Sequence, residues 1–344
     1  MFRPPSTFPC GLLLCSLLVL AGCGAISDEQ AKDPIQAVPV SSRDQVAAAK
    51  RVDAAKFPKP RAGQSLQDFG ARFDQRSGPQ AISAISVSRP PEGRIAFGLL
   101  DAEQQFNYGP TVIYLQRRGS EEVVGPIAAP ADVLMTEPRF RSEQAATERD
   151  PFAAIYSADR VPLPEPGIYY LLVVSDIDGK RTASGMAVQV VSEAADRVPD
   201  VGEKAPAVQT DTRGSVKGNV TLLDTRMPPA PELAEKSFAD VVGEKPVALL
   251  FASPQLCRSR VCGPVADEML QMKAKYGDKM TFIHQEAYVE NDLSQGFRPS
   301  LTRFALPSEP WLFTVHKDGK IAARLEGSIG IEAFESAVKA ALHP

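Results

Sequence analysis

The sequence predicts a two-domain chain, an all-β domain followed by an α/β domain. Its 344 residues exceed what one hydrophobic core usually fills. From about residue 81 to 192, short β-branched and apolar runs are separated by Pro, Gly and Asp, the pattern of strands and turns. From about residue 201 the pattern becomes mixed, with continuous apolar runs alternating with helical apolar spacing. Apolar residues at 44% and charged residues at 23% exclude a disordered or collagen-like chain, and 30 prolines disfavour an all-helical one. A net charge of −4 argues against nucleic acid as a partner.

The N-terminal segment reads as an address. Arg3 precedes an apolar run over 10–21 that is short for a bilayer span and fits a signal-peptide core. The run ends in Leu20-Ala21-Gly22-Cys23, which resembles a bacterial lipobox. That resemblance implies removal of residues 1–22 and acylation of Cys23. The mature chain would then be extracytoplasmic and held at the cell membrane by lipid, where disulfides persist. Cys10 and Cys15 would leave with the signal, so Cys257 and Cys262 remain as the only sulfur chemistry. Residues 23–80 are rich in Ala, Gln, Pro and charge without a sustained apolar pattern, and are expected to form a lipidated tether. A short helix over 46–57, stopped by Pro58, is the one element expected there.

Residues 81–195 are expected to form an immunoglobulin-like β-sandwich. The expected strands are 82–87, 94–100, 111–116, 153–156, 168–174 and 187–191, with Asp178-Gly179 as a hairpin turn. This region contains neither histidine nor cysteine. Its acids read as surface solvation, which points to a binding or spacer role.

A Pro-rich, charged stretch from Asp196 to Pro206 opens the last domain, 196–344. The run 247–251 (VALLF) reads as a strand buried on both faces. A loop carrying both cysteines follows. Val265, Met269, Met272 and Tyr276 then mark a helix ended by Gly277. A strand over 281–289, a hairpin of 311–315 with 321–325 and a closing helix over 331–342 complete the order. That order resembles the thioredoxin-like superfamily. Three segments carry the resemblance: 247–251, 275–282 (KYGDKMTF) and 310–320 (PWLFTVHKDGK). Residues 201–206 (VGEKAP) are similar to the leading segment of peroxiredoxin and TlpA-like members.

The resemblance implies a redox site at Leu256-Cys257-Arg258-Ser259-Arg260-Val261-Cys262-Gly263-Pro264, where four residues separate the cysteines instead of two. Cys262 falls at the family's resolving position, and Cys257 two residues before its usual nucleophile. Leu249 and Leu250 occupy the stretch that holds the family's buried acid. On one continuous helix, residues five apart lie about 7.5 Å apart along the axis, beyond disulfide reach. Pro264 favours a helix starting near itself, so both cysteines would precede it and could close a bond. The helix start, Arg258 and Arg260 all favour thiolate, most directly at Cys262. Family likeness instead makes Cys257 the attacker.

Pro310 would be the family's cis-proline, shaping a substrate groove. Glu309 and His284 are candidates for proton transfer, though a solvated acid accounts for Glu309 equally well and a packed strand histidine accounts for His284 better. Asp267 and Glu268 lie at a helix start, where negative charge is stabilising, and are expected to do no more than that. Three functions follow. The chain would be a thiol–disulfide oxidoreductase without cofactor, acting on extracytoplasmic protein thiols or with a membrane redox partner. It would alternatively be a non-catalytic binding or scaffold lipoprotein with Cys257–Cys262 as a structural staple. A copper chaperone using Cys257, Cys262 and His284 is the third, since soft thiolates suit copper.

Overall fold

Between residues 80 and 190, alternating apolar positions interrupted by turn residues produce eight antiparallel strands. The computed structural model describes Met1 and residues 33–147, 149, 152–257 and 260–343. The expected signal segment, Cys23 and Arg258 lie outside the described residues. The strands are β1 (Gln80–Ser83), β2 (Glu92–Leu100), β3 (Thr111–Arg117), β4 (Val124–Ala128), β5 (Ala131–Val133), β6 (Ala154–Pro162), β7 (Gly167–Ile177) and β8 (Lys180–Val190). They form two four-stranded sheets, ordered β1-β2-β6-β5 and β4-β3-β7-β8. This is the immunoglobulin-type order, with β4 as an additional strand beside β3.

Asp178 and Gly179 both adopt positive φ between the paired residues Ile177 and Lys180, as a two-residue hairpin turn requires. Near the start of β7, the Tyr169 hydroxyl donates to the Glu165 carbonyl at 2.9 Å, the corner hydrogen bond of such sandwiches. β4 and β5 were not expected from the sequence. β4 carries Gly125 and Pro126 and is half-buried throughout, while β5 has three residues, so neither shows a period.

Residues 33–80 correct the tether expectation. They contain α1 (Val40–Lys50) and α2 (Leu66–Gly70), and both pack on the sandwich. Val46 and Ala49 are fully buried. Phe57, Leu66 and Phe69 share a cluster with Val112, Tyr114 and Leu172 of the β4-β3-β7-β8 sheet. Single apolar residues far apart in sequence each seat on that sheet, which explains why no periodic pattern announced them.

The C-terminal unit has α3 (Phe238–Val241), β9 (Val247–Phe251), α4 (Cys262–Tyr276), β10 (Thr281–Gln285), α5 (Pro299–Arg303), β11 (Trp311–Val315), β12 (Ile321–Glu326) and α6 (Ile331–Leu342). Its sheet runs β10-β9-β11-β12, with β10 parallel to β9 and the other pairs antiparallel. A βαβ half joined to a ββα half in this order is the thioredoxin-like arrangement. β9 is buried on both faces as expected. Ala248 and Leu250 face the cluster containing α4 and α6, while Val247, Leu249 and Phe251 face Phe238, Phe304 and Phe313.

The two units are joined by core. One hydrophobic cluster runs from Ile95, Phe97 and Val133 into Val265, Met269, Ile331 and Phe334. Asp132 of β5 accepts from the Glu332 and Ala333 amides at 3.0 and 2.9 Å, capping α6 from the other unit. Gly330 leaves room for it, since a Cβ there would stand 2.2 Å from Asp132 Cγ. Arg94 of β2 donates to the Ser328 carbonyl at 2.6 Å. Asp132 therefore corrects the reading of the sandwich acids as solvated. Burial, opposed by the two amides and Arg94, pushes its carboxyl up to about 6.

Asp267 and Glu268 also do more than favour a helix start. Asp267 is buried, pairs with Arg226 Nε at 2.6 Å and accepts from the Ser142 amide at 2.8 Å. Glu268 is fully buried, and neither carboxylate oxygen has a hydrogen-bond partner among the described residues. Burial, reinforced by the charges of Asp132 and Asp267, holds its carboxyl well above the usual range.

Candidate functional site

β9 ends at Phe251, and the chain passes through the fully buried Ser253 into the cysteine loop. The Leu256 and Cys257 amides both donate to the Ser253 carbonyl, at 2.9 and 3.0 Å. Cys257 and Cys262 form a disulfide with a Cα–Cα distance of 6.0 Å. The helix begins two residues earlier than Pro264 suggests, so Cys262 is itself the first residue of α4. The bond still closes because Cys257 stands outside the helix, on the loop. Cys262 is fully buried and Cys257 half-buried.

A sandwich loop covers the helix start: a Cβ on Gly263 would lie 2.4 Å from Gln144 Cβ, so only glycine fits there. The helix N-terminus favours thiolate at Cys262 when the pair is reduced. Arg260 is exposed and holds a positive φ between the cysteines.

Pro310 is buried and follows a cis peptide bond from Glu309, immediately before β11. The Glu309 carboxylate is enclosed beside Ser253 and Tyr288, although neither oxygen makes a hydrogen bond of good geometry with the described residues. Burial and the nearby Glu286 charge, opposed by Ser253 and Tyr288, push it up to about 7. Ser253 thus stands between Glu309 and the cystine loop.

His284 is paired in register with Leu250 and shares its face of the sheet, the α4 side. Its Nε2 lies 2.8 Å from the Ala252 carbonyl, and its Nδ1 lies 3.7 Å from Asp224 Oδ1. Asp224, His284 and Glu286 are all buried, with one ligand-type atom from each within 4.8 Å of the others. Burial dominates at Glu286 and raises its carboxyl, against the opposing influence of His284 and the Thr225 amide.

The copper set expected from Cys257, Cys262 and His284 is not assembled. The sulfurs are bonded to each other, and His284 groups with two carboxylates instead. Glu286 and Asp224 are the residues that sequence reasoning missed. His284 and Glu286 are two apart at the end of a strand, so a period-two reading would have placed both side chains on one face. Asp224 carries no comparable signal.

No family model and no curated protein matches the chain. Among solved structures it is similar to a thiol:disulfide interchange protein DsbE of Chlorobium tepidum, with 20% identity, 42% of this chain and 99% of that chain covered, and a TM-score of 0.30. A thioredoxin-like superfamily protein is 13% identical, over 32% of this chain and 87% of its own, with a TM-score of 0.26. The PKD domain of the human receptor SorCS2 is 14% identical, over 42% and 92%, with a TM-score of 0.18. The strand orders themselves, rather than these scores, define the class: a sandwich joined to a thioredoxin-like unit that carries a cystine at the start of its first long helix. Among the described residues no helix is long and apolar enough to cross a membrane.

Proposed function

We propose that this chain is a lipid-anchored, extracytoplasmic thiol–disulfide oxidoreductase acting on envelope protein thiols through Cys257 and Cys262. One observation carries the reading: the cystine lies at the turn from β9 into α4, with Cys262 buried at the helix start and Cys257 the more open sulfur. In the reducing direction, the Cys257 thiolate attacks a substrate disulfide and one substrate sulfur leaves as thiolate. Cys262 thiolate then attacks the Cys257 sulfur of the mixed disulfide and releases the second substrate thiolate. The substrate gains two electrons and the pair loses two; oxidation of a substrate dithiol is the reverse.

Helix start, Arg258 and Arg260 stabilise thiolate, and Glu309, titrating at about 7, accepts a thiol proton. Pro310 shapes the substrate groove. His284 adds no proton-transfer step in this scheme.

The full burial of Cys262 favours a second reading, a structural staple in a binding lipoprotein. The reduction potential in glutathione buffers separates the two. Catalytic pairs lie at roughly −270 to −120 mV, and structural disulfides below about −300 mV. A value in the upper range, with turnover lost in Cys257→Ser and mixed disulfides accumulating in Cys262→Ser, supports exchange. A value below it supports the staple.

A further inference from the structure

Three buried hydrogen-bond acceptors converge beneath the cystine loop, and among the described residues the only donor group near their open lone pairs is the Ser253 hydroxyl, beside Glu286. A carbonyl oxygen only accepts, so His284 Nε2, 2.8 Å from the Ala252 carbonyl, carries the proton and donates it. In the neutral ring Nδ1 is then a bare lone pair, and it faces Asp224 Oδ1 at 3.7 Å. That oxygen already accepts from the Arg226 amide at 2.8 Å, and Oδ2 accepts from the Ala230 amide at 2.7 Å. Glu286 Oε1 accepts from the Thr225 amide and hydroxyl at 2.7 and 2.9 Å, while Oε2 has no partner among the described residues. Asp224, His284 and Glu286 are 3%, 2% and 0% exposed, so bulk water does not satisfy these atoms.

A proton on Nδ1 does not resolve the contact well. The separation of 3.7 Å is beyond the range of about 2.7–3.2 Å for an N–H···O bond. It is close to the edge of a coordination tetrahedron, where two ligands each about 2.1 Å from a metal stand about 3.4 Å apart.

We propose that Asp224, His284 and Glu286 bind one divalent first-row metal ion, zinc being the best match to one imidazole and two carboxylates. His284 supplies Nδ1, its tautomer set by the Ala252 carbonyl in the way that metal-binding histidines are usually oriented. Thr225 fixes the Glu286 carboxylate, and the Arg226 and Ala230 amides fix Asp224. Three protein ligands leave a fourth position for water or another group. The ion joins the segment that carries Asp224 to the end of β10. It does not involve the sulfurs, so it is independent of the redox function proposed above.

The test uses the full-length chain in its oxidised form, with the closed Cys257–Cys262 disulfide verified by mass spectrometry of an unreduced digest. After treatment with a chelator, Co²⁺ is added and its visible absorption followed, with Zn²⁺ as competitor. One equivalent of Co²⁺ displaced by Zn²⁺, with a dissociation constant of about 1 μM or below, is expected. Cys257→Ala/Cys262→Ala should bind it equally, and His284→Ala and Asp224→Asn should weaken binding by about 100-fold or more. Should the ligand variants not fold, X-ray absorption of the cobalt-loaded wild type decides. A shell of N and O atoms that includes one imidazole supports the site, and a shell with sulfur or without imidazole overturns it. Failure of the folded, oxidised wild type to take up one equivalent also overturns it, as does full affinity in a folded His284→Ala chain.

Discussion

Replacing Asp132 by Asn should change how stability depends on pH. The carboxyl is 6% exposed, enclosed between the first turn of α6 and Arg94, with the acids Glu332 and Glu268 nearby. Burial outweighs the two amide hydrogen bonds and moves it from 3.8 to about 6 in the folded chain. A carboxyl whose folded pKa is raised binds its proton more tightly when folded. Its contribution is therefore present below the unfolded pKa, near pH 4, and is lost as the pH rises to about 6. A shift of roughly two units at 1.36 kcal/mol each makes this about 3 kcal/mol.

Asn carries no proton and lacks that slope. The unfolding free energy of Asp132→Asn, relative to wild type, should therefore rise by up to about 3 kcal/mol between about pH 4 and about pH 6, then level off. Asp267, also at about 6, is present in both chains and cancels in the difference. The part of Glu268's upward shift that comes from the Asp132 charge acts in the same direction as the expected change. Urea unfolding at several pH values measures this, followed by the emission of Trp311, the only tryptophan, which is 1% exposed. A difference that is the same at both ends of that range would refute the placement of Asp132 under α6.

Phe69 is fully buried with its ring 4.7 Å from that of Tyr114, so Phe69→Ala should cost about 3–5 kcal/mol in the same urea assay. A loss under about 1 kcal/mol would return residues 33–80 to a tether. Because one hydrophobic cluster spans both units, unfolding followed by Trp311 emission and by far-ultraviolet circular dichroism should give a single coincident transition. Two separated midpoints would show that the shared core does not couple them.

Much of the C-terminal unit was legible because its signals are local. The run Val247–Phe251 is apolar at every position, and it is buried on both faces. The helix Ile331–Leu342 and the strand Trp311–Val315 have the bounds their spacing suggests. The Cys257–Cys262 pair was legible from its place after β9. The expected second strand, 281–289, stops at Gln285, and the chain then leaves the sheet to place Glu286 and Tyr288 near Glu309. That departure has no local cause visible in the sequence.

Charged residues were misread or missed in one consistent way. Asp132, Asp267, Glu268 and Glu286 are ordinary surface acids by composition, yet all four are buried. Three of them are held by elements far away in sequence: Asp132 by α6, Asp267 by Arg226 and Ser142, Glu286 by Thr225.

The sequence by itself determined the strand and helix periods, the position of the sulfur pair and the order of the two folds. These depend on the polarity of neighbours a few residues apart, which the chain carries along its length. The tertiary structure alone decided that residues 33–80 are packed, that one core serves both units, and that His284 meets Asp224 and Glu286 rather than the cysteines. The cost of burying a carboxylate or the gain from seating a lone phenylalanine depends on which distant surface arrives beside it, and only the folded chain specifies that.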